Sequence, residues 1–181
     1  MNQSLSDMEH PLSQFRYCPK CGSEHFKVHN EKSKQCADCG FIYYFNPSSA
    51  TVALILNEKN ELLVCRRAKD PAKGTLDLPG GFIDMNETGE EGVRREVKEE
   101  TGLDVKDAEG GYMFTYKREN PGEGDNYFVD VYRFTLDIDD SDVNFQEAEI
   151  DGYMFASIDE IKVFAQEGIF LHYDSIKKVF E

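Results

Sequence analysis

The sequence is short of positive charge. Its 181 residues carry 20 lysines and arginines against 35 aspartates and glutamates, a formal net charge of −15. Such a chain repels nucleic acid and anionic membrane unless a cation or a local basic patch intervenes. If its substrate is an anion, the charge already calls for bound metal ions. Long apolar runs are missing too. The longest, Val52 to Leu56, falls far short of the ~20 residues of a membrane span and reads as a buried strand. Met1 to Gln14 is polar and lacks the apolar core of a signal peptide, so a cytoplasmic location and no membrane partner are expected. Cysteine is sparse, with five residues, but four of them sit in two tight pairs. Without an export signal, that pattern reads as metal binding rather than disulfides. The fifth, Cys65, lies in an apolar run and reads as inert core.

What is present suits a soluble globular protein. Hydrophobic residues make up 40% of the chain, and 13 phenylalanines and 9 tyrosines argue against global disorder. The length fits one ordinary domain with a small appended module. Residues 1–14 read as a flexible tail. Residues 15–46 hold both cysteine pairs and few aliphatic side chains, so they need help to form a core. Asn46-Pro47-Ser48-Ser49 is a turn-like junction, and residues 47–181 form the main domain. Thr51 to Leu56 and Leu62 to Arg67, around a polar turn, have a hairpin pattern. A helix fits Thr88 to Thr101, closed by Gly102. Tyr112 to Lys117, Tyr127 to Leu136 and Tyr153 to Phe155 suit strands. Ser157 before Asp159 and Glu160 looks like a helix start, and Asp174 to Phe180 a closing helix.

The cysteines form two knuckles, Cys18-Pro19-Lys20-Cys21-Gly22 and Cys36-Ala37-Asp38-Cys39-Gly40. Each can place two thiolates at one corner of a tetrahedron. Four thiolates around Zn²⁺ leave no open coordination position, so the site reads as structural, with metal binding supplying much of the module's folding energy. Iron held in rubredoxin-like knuckles, disulfides and free thiols are the alternatives. Arg16, Lys20, Lys27, Lys32 and Lys34 stand against Glu24, Glu31 and Asp38. So slight a basic excess favours a structural or interface role over nucleic-acid binding.

The segment Gly81 to Leu103 carries the chemistry. At about 100° per residue, Val97 falls about 40° from Val93, while Glu100, Glu96 and Glu99 fall about 20°, 60° and 120° to the other side. The apolar stripe is thus flanked by three carboxylates spaced i, i+3 and i+4. Their mutual repulsion breaks a local rule beside the core, which often marks a functional site. Hard divalent cations want such oxygen clusters. A charged helix edge with no role is the plain alternative.

The segment reads Gly81, five residues, Glu87, seven residues, then Arg95-Glu96-Val97-Lys98-Glu99-Glu100-Thr101-Gly102-Leu103. It resembles the Nudix box, G-x5-E-x7-R-E-U-x-E-E-x-G-U with U aliphatic, at every specified position, and the Leu78-Pro79-Gly80-Gly81 lead-in is similar to that family's as well. The resemblance implies an α/β/α sandwich around a mixed β-sheet, preceded here by a small zinc ribbon. It implies Mg²⁺ or Mn²⁺ held by Glu96, Glu99 and Glu100, with the Gly81 carbonyl as a further ligand and Arg95 bracing the loop against Glu87. It implies attack of water on a diphosphate that links a nucleoside to another group.

Downstream, Glu149 resembles the glutamate before the penultimate strand in relatives and is a candidate metal ligand or base, with Glu147 as the alternate. Arg66 and Arg67, at a strand end, could hold phosphate or flank the sheet. A ribbon joined to such a domain resembles the NADH pyrophosphatases, which also remove NAD caps from RNA, and the FAD and ADP-ribose pyrophosphatases. The chain has no tryptophan and lacks the S-Q-P-W-P-F-P-type motif of the first group. The resemblance to the two groups makes ADP-ribose, FAD and NADH the candidate substrates, the missing motif counting against NADH, with a non-catalytic nucleotide sensor or an NAD-cap decapping enzyme as the alternatives. Phe41, Tyr43 and Phe45 offer apolar surface for a possible homodimer.

Overall fold

The computed structural model describes residues 10–45, 49–70, 72–120, 125–139, 141–146 and 148–180, without the side chains of 120, 125 and 126. The chain divides into two units, Met1–Asn46 and Pro47–Glu181. The junction at 46–48 and the tail residues 1–9 lie outside the described residues.

The first unit is a three-stranded antiparallel sheet of β1 (Phe26–Asn30), β2 (Ser33–Cys36) and β3 (Ile42–Tyr44), with β2 in the middle. Its own core is Cys18, Phe26 and Cys36, flanked by Cys39 and Phe41. That is too little apolar area to offset the cost of ordering the chain. The stretch read as tail is held from His10 onward, because the His10 ring bonds the Asn30 carbonyl at 2.8 Å and Leu12 is fully buried.

The second unit is a six-stranded mixed sheet. Its elements are β4 (Ser49–Leu56), β5 (Leu62–Arg67), β6 (Leu76–Asp77), α1 (Gly89–Thr101), β7 (Glu109–Asn120), β8 (Asp125–Thr135), β9 (Ile150–Ala156), α2 (Ile158–Gln166) and α3 (Tyr173–Ile176). A 3-10 turn follows at Lys177–Val179. The strand order is β6-β5-β4-β8-β7, with β9 on β5, and β4 and β8 run parallel. Alternation along the strands makes the sandwich. Ala53, Ile55, Leu63, Cys65, Tyr132 and Phe134 meet Val93 and Val97 of α1. Leu54, Leu56, Leu62, Val64 and Val131 meet Ile161 of α2, Phe170 and Ile176 on the other face. Burying Val93 and Val97 contributes about 1.5–3 kcal/mol each.

Several elements differ from their sequence expectations. The β4–β5 hairpin pairs only at Leu56 and Leu62, next to a turn closed by the Asn57 side chain, which accepts from the amides of Lys59 and Glu61. Beyond that the strands splay. The freed edge of β4 donates instead to the glycine-rich lead-in, from Thr51 to the Gly81 carbonyl and from Ala53 to the Pro79 carbonyl, both 2.8 Å. Strands β7, β8 and β9 all begin earlier than their alternation shows. The closing helix is the single turn α3 followed by 3-10 geometry.

Candidate active site

Local sequence sets α1 in place. Thr88 caps it: its hydroxyl accepts from the Glu91 amide while the Glu91 carboxylate accepts from the Thr88 amide. This reciprocal box satisfies two of the amides that a helix start leaves unpaired. Gly102 ends the helix in the left-handed conformation at φ 75°, its amide donating to the Lys98 carbonyl. The wheel is realised as a gradient of exposure. Val93 and Val97 are buried, the Glu96 side chain is 16% exposed and that of Glu99 is 57% exposed.

The glycine lead-in lies against this helix. Gly80 has φ 151°, and a Cβ there would fall 2.1 Å from the Thr51 carbonyl oxygen, so only glycine lets the loop sit on β4. The Gly80 amide donates to Glu100 at 3.1 Å. The Glu96 carboxylate lies beside the Gly81 α-carbon. The Gly81 carbonyl accepts from Thr51, and its second lone pair remains for another partner. Arg95 joins loop to helix. Its Nε and Nη2 donate to the two Glu87 oxygens at 2.8 and 3.0 Å, Nη2 also to the Phe82 carbonyl at 3.1 Å, and Nη1 to Glu96 at 2.8 Å and Glu99 at 3.3 Å. These bonds hold Glu87 below the usual carboxylate range and raise Arg95 further still.

Glu100, alone of the three helix carboxylates, opens onto a cavity of about 230 Å³ that is also lined by Cys65, Arg66, Arg67, Lys69, Asp70, Asp77, Leu78, Gly80, Glu149 and Ile150. The structure thus brings Glu149 and both arginines to Glu100. Burial pushes Glu100 up to about 8, and the charges of Glu96, Glu149 and Asp77 add to the shift against the Gly80 amide. Glu96 is raised by burial as well, with Arg95 opposing and Glu99 and Glu149 adding. Cys65 is raised by burial, then by Glu100 and Asp77, so its thiol stays protonated and unreactive. The donor set is oxygen only, partly desolvated and mutually repelling. That chemistry fits Mg²⁺ or Mn²⁺, whose charge would offset the raised acids.

Sequence reasoning missed two residues here. Lys69 pairs with Glu149 at 3.5 Å. Asp77 accepts from Arg67 at 2.8 Å and meets His172 at 3.0 Å. Neither carries a local signal, and Glu149 and His172 lie 80 and 95 residues further on. Of the two arginines, Arg66 lies over Gly152 and near Asp151 at 3.9 Å. The alternate Glu147 lies outside the described residues.

In the first unit the four cysteine sulfurs all lie within 4.8 Å of one another, the one such group of three or more candidate ligands among the described residues. Two of the separations, Cys18–Cys39 at 3.7 Å and Cys21–Cys36 at 3.6 Å, match the edge of about 3.8 Å of a tetrahedron with ~2.3 Å arms. Burial would raise the Cys36 thiol, yet it is lowered, because the amides of Cys39 and Asp38 donate to its sulfur. All four cysteines are free of disulfides. The residues fit a closed, thiolate-bound ion.

A family model described as a NUDIX domain matches residues 46–177, and one described as an NADH pyrophosphatase zinc ribbon domain matches residues 13–44. The chain is 28% identical over 158 residues to the NAD-capped RNA hydrolase NudC of Haemophilus influenzae, covering 85% of this chain and 56% of that protein. It is 34% identical over 96 residues to the NAD-capped RNA hydrolase NudC of Vibrio atlanticus, 53% of this chain and 35% of that one. It is 48% identical over 60 residues to the ADP-ribose pyrophosphatase of Methanocaldococcus jannaschii, 33% and 35% of the two chains. The chain therefore spans between about a third and somewhat over half of these relatives. Among solved structures, the MutT protein of Methanosarcina mazei is similar at a TM-score of 0.53 and 28% identity, over 66% of this chain and 94% of that one. A bifunctional NMN adenylyltransferase/ADP ribose pyrophosphatase of Francisella tularensis shares the fold at 0.59 and 23% identity, over 76% and 42%.

Proposed function

The chain belongs to the Nudix family, and from that premise we propose that it hydrolyses the diphosphate bond of a nucleoside diphosphate linked to a second group, with ADP-ribose, FAD and NADH as candidates. The observation that carries the proposal is Glu96 and Glu100, packed against Gly81 and Gly80, with Glu100 opening onto a cavity that also holds Glu149, Arg67 and Lys69. Bound Mg²⁺ or Mn²⁺ would neutralise the diphosphate, acidify a water and stabilise the leaving phosphate.

In this reading Glu96, Glu99 and Glu100 hold the cations, with the Gly81 carbonyl as a further oxygen. Glu87 and Arg95 keep the loop and helix in register, since Arg95 touches Glu87, Glu96, Glu99 and the Phe82 carbonyl together. Arg67, and less directly Arg66, meets substrate phosphate as a cation at the cavity wall. Glu149 takes the proton of the attacking water or joins the cation ligands. Bond cleavage adds water across the phosphoanhydride and leaves two phosphate monoesters. Positioning and electrostatics carry most of the rate enhancement.

The zinc ribbon, residues 15–46, is proposed as a structural module that precedes, in the chain, the catalytic domain of residues 47–181. Among the described residues no helix is long and apolar enough to cross a membrane. A cytoplasmic location and a homodimer complete the reading, the second supported by the exposed rings of Tyr43 and Phe45. A second reading is removal of NAD caps from RNA. It is favoured by the Haemophilus relative, matched over most of this chain, and opposed by the net charge of −15.

The test is a phosphate-release screen with added phosphatase over ADP-ribose, FAD, NADH, NAD, CoA and nucleotide sugars, each with Mg²⁺ and with Mn²⁺. One substrate turned over far above the rest supports the proposal. Tight binding of one without turnover supports the sensor reading instead.

A further inference from the structure

Asp77 lies outside the box, yet parts of the site that are distant in sequence meet at its carboxylate. Strand β6 is only Leu76 and Asp77, and Asp77 pairs with Cys65 of β5. Cys65 belongs to the core beneath α1, so Asp77 faces the helix side. Its carboxylate takes three donors from three parts of the fold. Nη1 of Arg67 donates at 2.8 Å from β5, and the Leu78 amide at 2.8 Å from the lead-in to Gly80. Nε2 of His172 lies 3.0 Å away, on the segment before α3. That segment is tied to the same strand by the Leu76 amide, which donates to the Ile169 carbonyl at 2.7 Å, and by a bridge between Leu76 and Phe170.

We infer that Asp77 is a positioning residue, which fixes the Arg67 guanidinium at the wall of the cavity for a substrate phosphate and fastens the C-terminal segment to the same point. Arg67, Asp77 and Glu100 line one cavity, so a cation held by Asp77 faces the same space as Glu100, one of the carboxylates that would carry the metal. An arginine already held in place loses less rotamer freedom when it binds an anion, which is the benefit of preorganisation. Burial opposes the ionised form of Asp77, but the bonds from His172, Arg67 and the Leu78 amide outweigh it and hold the carboxyl below its usual range. Asp77 thus remains an anion wherever Arg67 must be held.

The inference rests on the cavity being a diphosphate site, and the test separates the two. ADP binding with Mg²⁺ is measured by calorimetry for the unaltered protein, Asp77→Asn, Arg67→Gln, the double variant and His172→Gln, with the melting temperature of each. Asp77→Asn and Arg67→Gln should each weaken ADP about tenfold or more, and the double variant should be no weaker than Arg67→Gln, because one residue acts through the other. On the hydrolysed substrate Asp77→Asn should raise KM and leave kcat nearly unchanged. His172→Gln should lower the melting temperature and leave ADP affinity in place. If Asp77→Asn does not fold, Asp77→Ser takes its place with the same expected readings. ADP affinity unchanged in the Asp77 variant, or losses that add in the double variant, overturns the inference alone. No ADP binding by the unaltered protein overturns the functional reading and the inference with it.

Discussion

The Glu96 carboxylate fills the space that a side chain at Gly81 would take: a Cβ there would fall 2.6 Å from its Cδ. The adjacent Gly80 is blocked differently, by the Thr51 backbone oxygen at 2.1 Å and by φ 151°. The two glycines should therefore fail in different ways when substituted.

Gly81→Ala can be accommodated by moving a flexible carboxylate. It should leave the melting temperature nearly unchanged but lower turnover by roughly 10²-fold, as expected for a displaced metal ligand. Gly80→Ala meets backbone and should cost about 2–4 kcal/mol of stability. Thermal melts and steady-state kinetics on the two variants check this. Equal stability losses would show that the loop does not lie on β4 and Glu96 as described.

Glu87 supplies the pH dependence. Hydrogen bonds from Arg95 hold it below the ordinary glutamate value of 4.5 in the folded state, against the opposing effect of burial. A depressed acid contributes stability that is fully present above its unfolded pKa and is lost as pH falls through the lower folded value. Glu87→Gln should therefore melt below the unaltered protein by a constant margin above pH 4.5, and the margin should shrink in more acid solution. A margin independent of pH down to pH 2 would place the stabilisation elsewhere.

The ribbon makes a separate prediction. Cys36 is buried and within 4.8 Å of the other three sulfurs. Cys36→Ser should lose about one zinc per chain, measured by elemental analysis, and melt at a lower temperature, while the intrinsic chemistry of the second unit persists. A fully folded, zinc-loaded but inactive variant would contradict the structural role.

The parts legible in the sequence were those whose signals are local. Helix α1 was readable because Gly102 closes it and Val93 and Val97 repeat at helical spacing, while the capping box of Thr88 and Glu91 emerged only in the structure. The residues of the box lie within one helical segment and its lead-in, so their mutual placement followed from the motif. The cysteine knuckles were readable for the same reason. What was hidden is non-local. Nothing near β4 announces that it pairs in parallel with β8, or that its hairpin with β5 opens to admit Pro79 and Gly81. Asp77 and Lys69 gave no local signal because their partners His172 and Glu149 are distant in sequence. Glu149 was visible only through family resemblance, and its place in the cavity is a product of the β5–β9 pairing.

The central claim is that the α1 carboxylates hold the catalytic cations. The most direct measurement is turnover of the best substrate by Glu99→Gln and Glu100→Gln, with melting temperature recorded in metal-free buffer. Each should lose at least ~10²-fold in turnover. Glu100→Gln should melt no lower than the unaltered protein at pH 8 without metal, because burial and neighbouring carboxylates disfavour its charge there. Unchanged turnover in both variants would contradict the assignment of these carboxylates to the metal site.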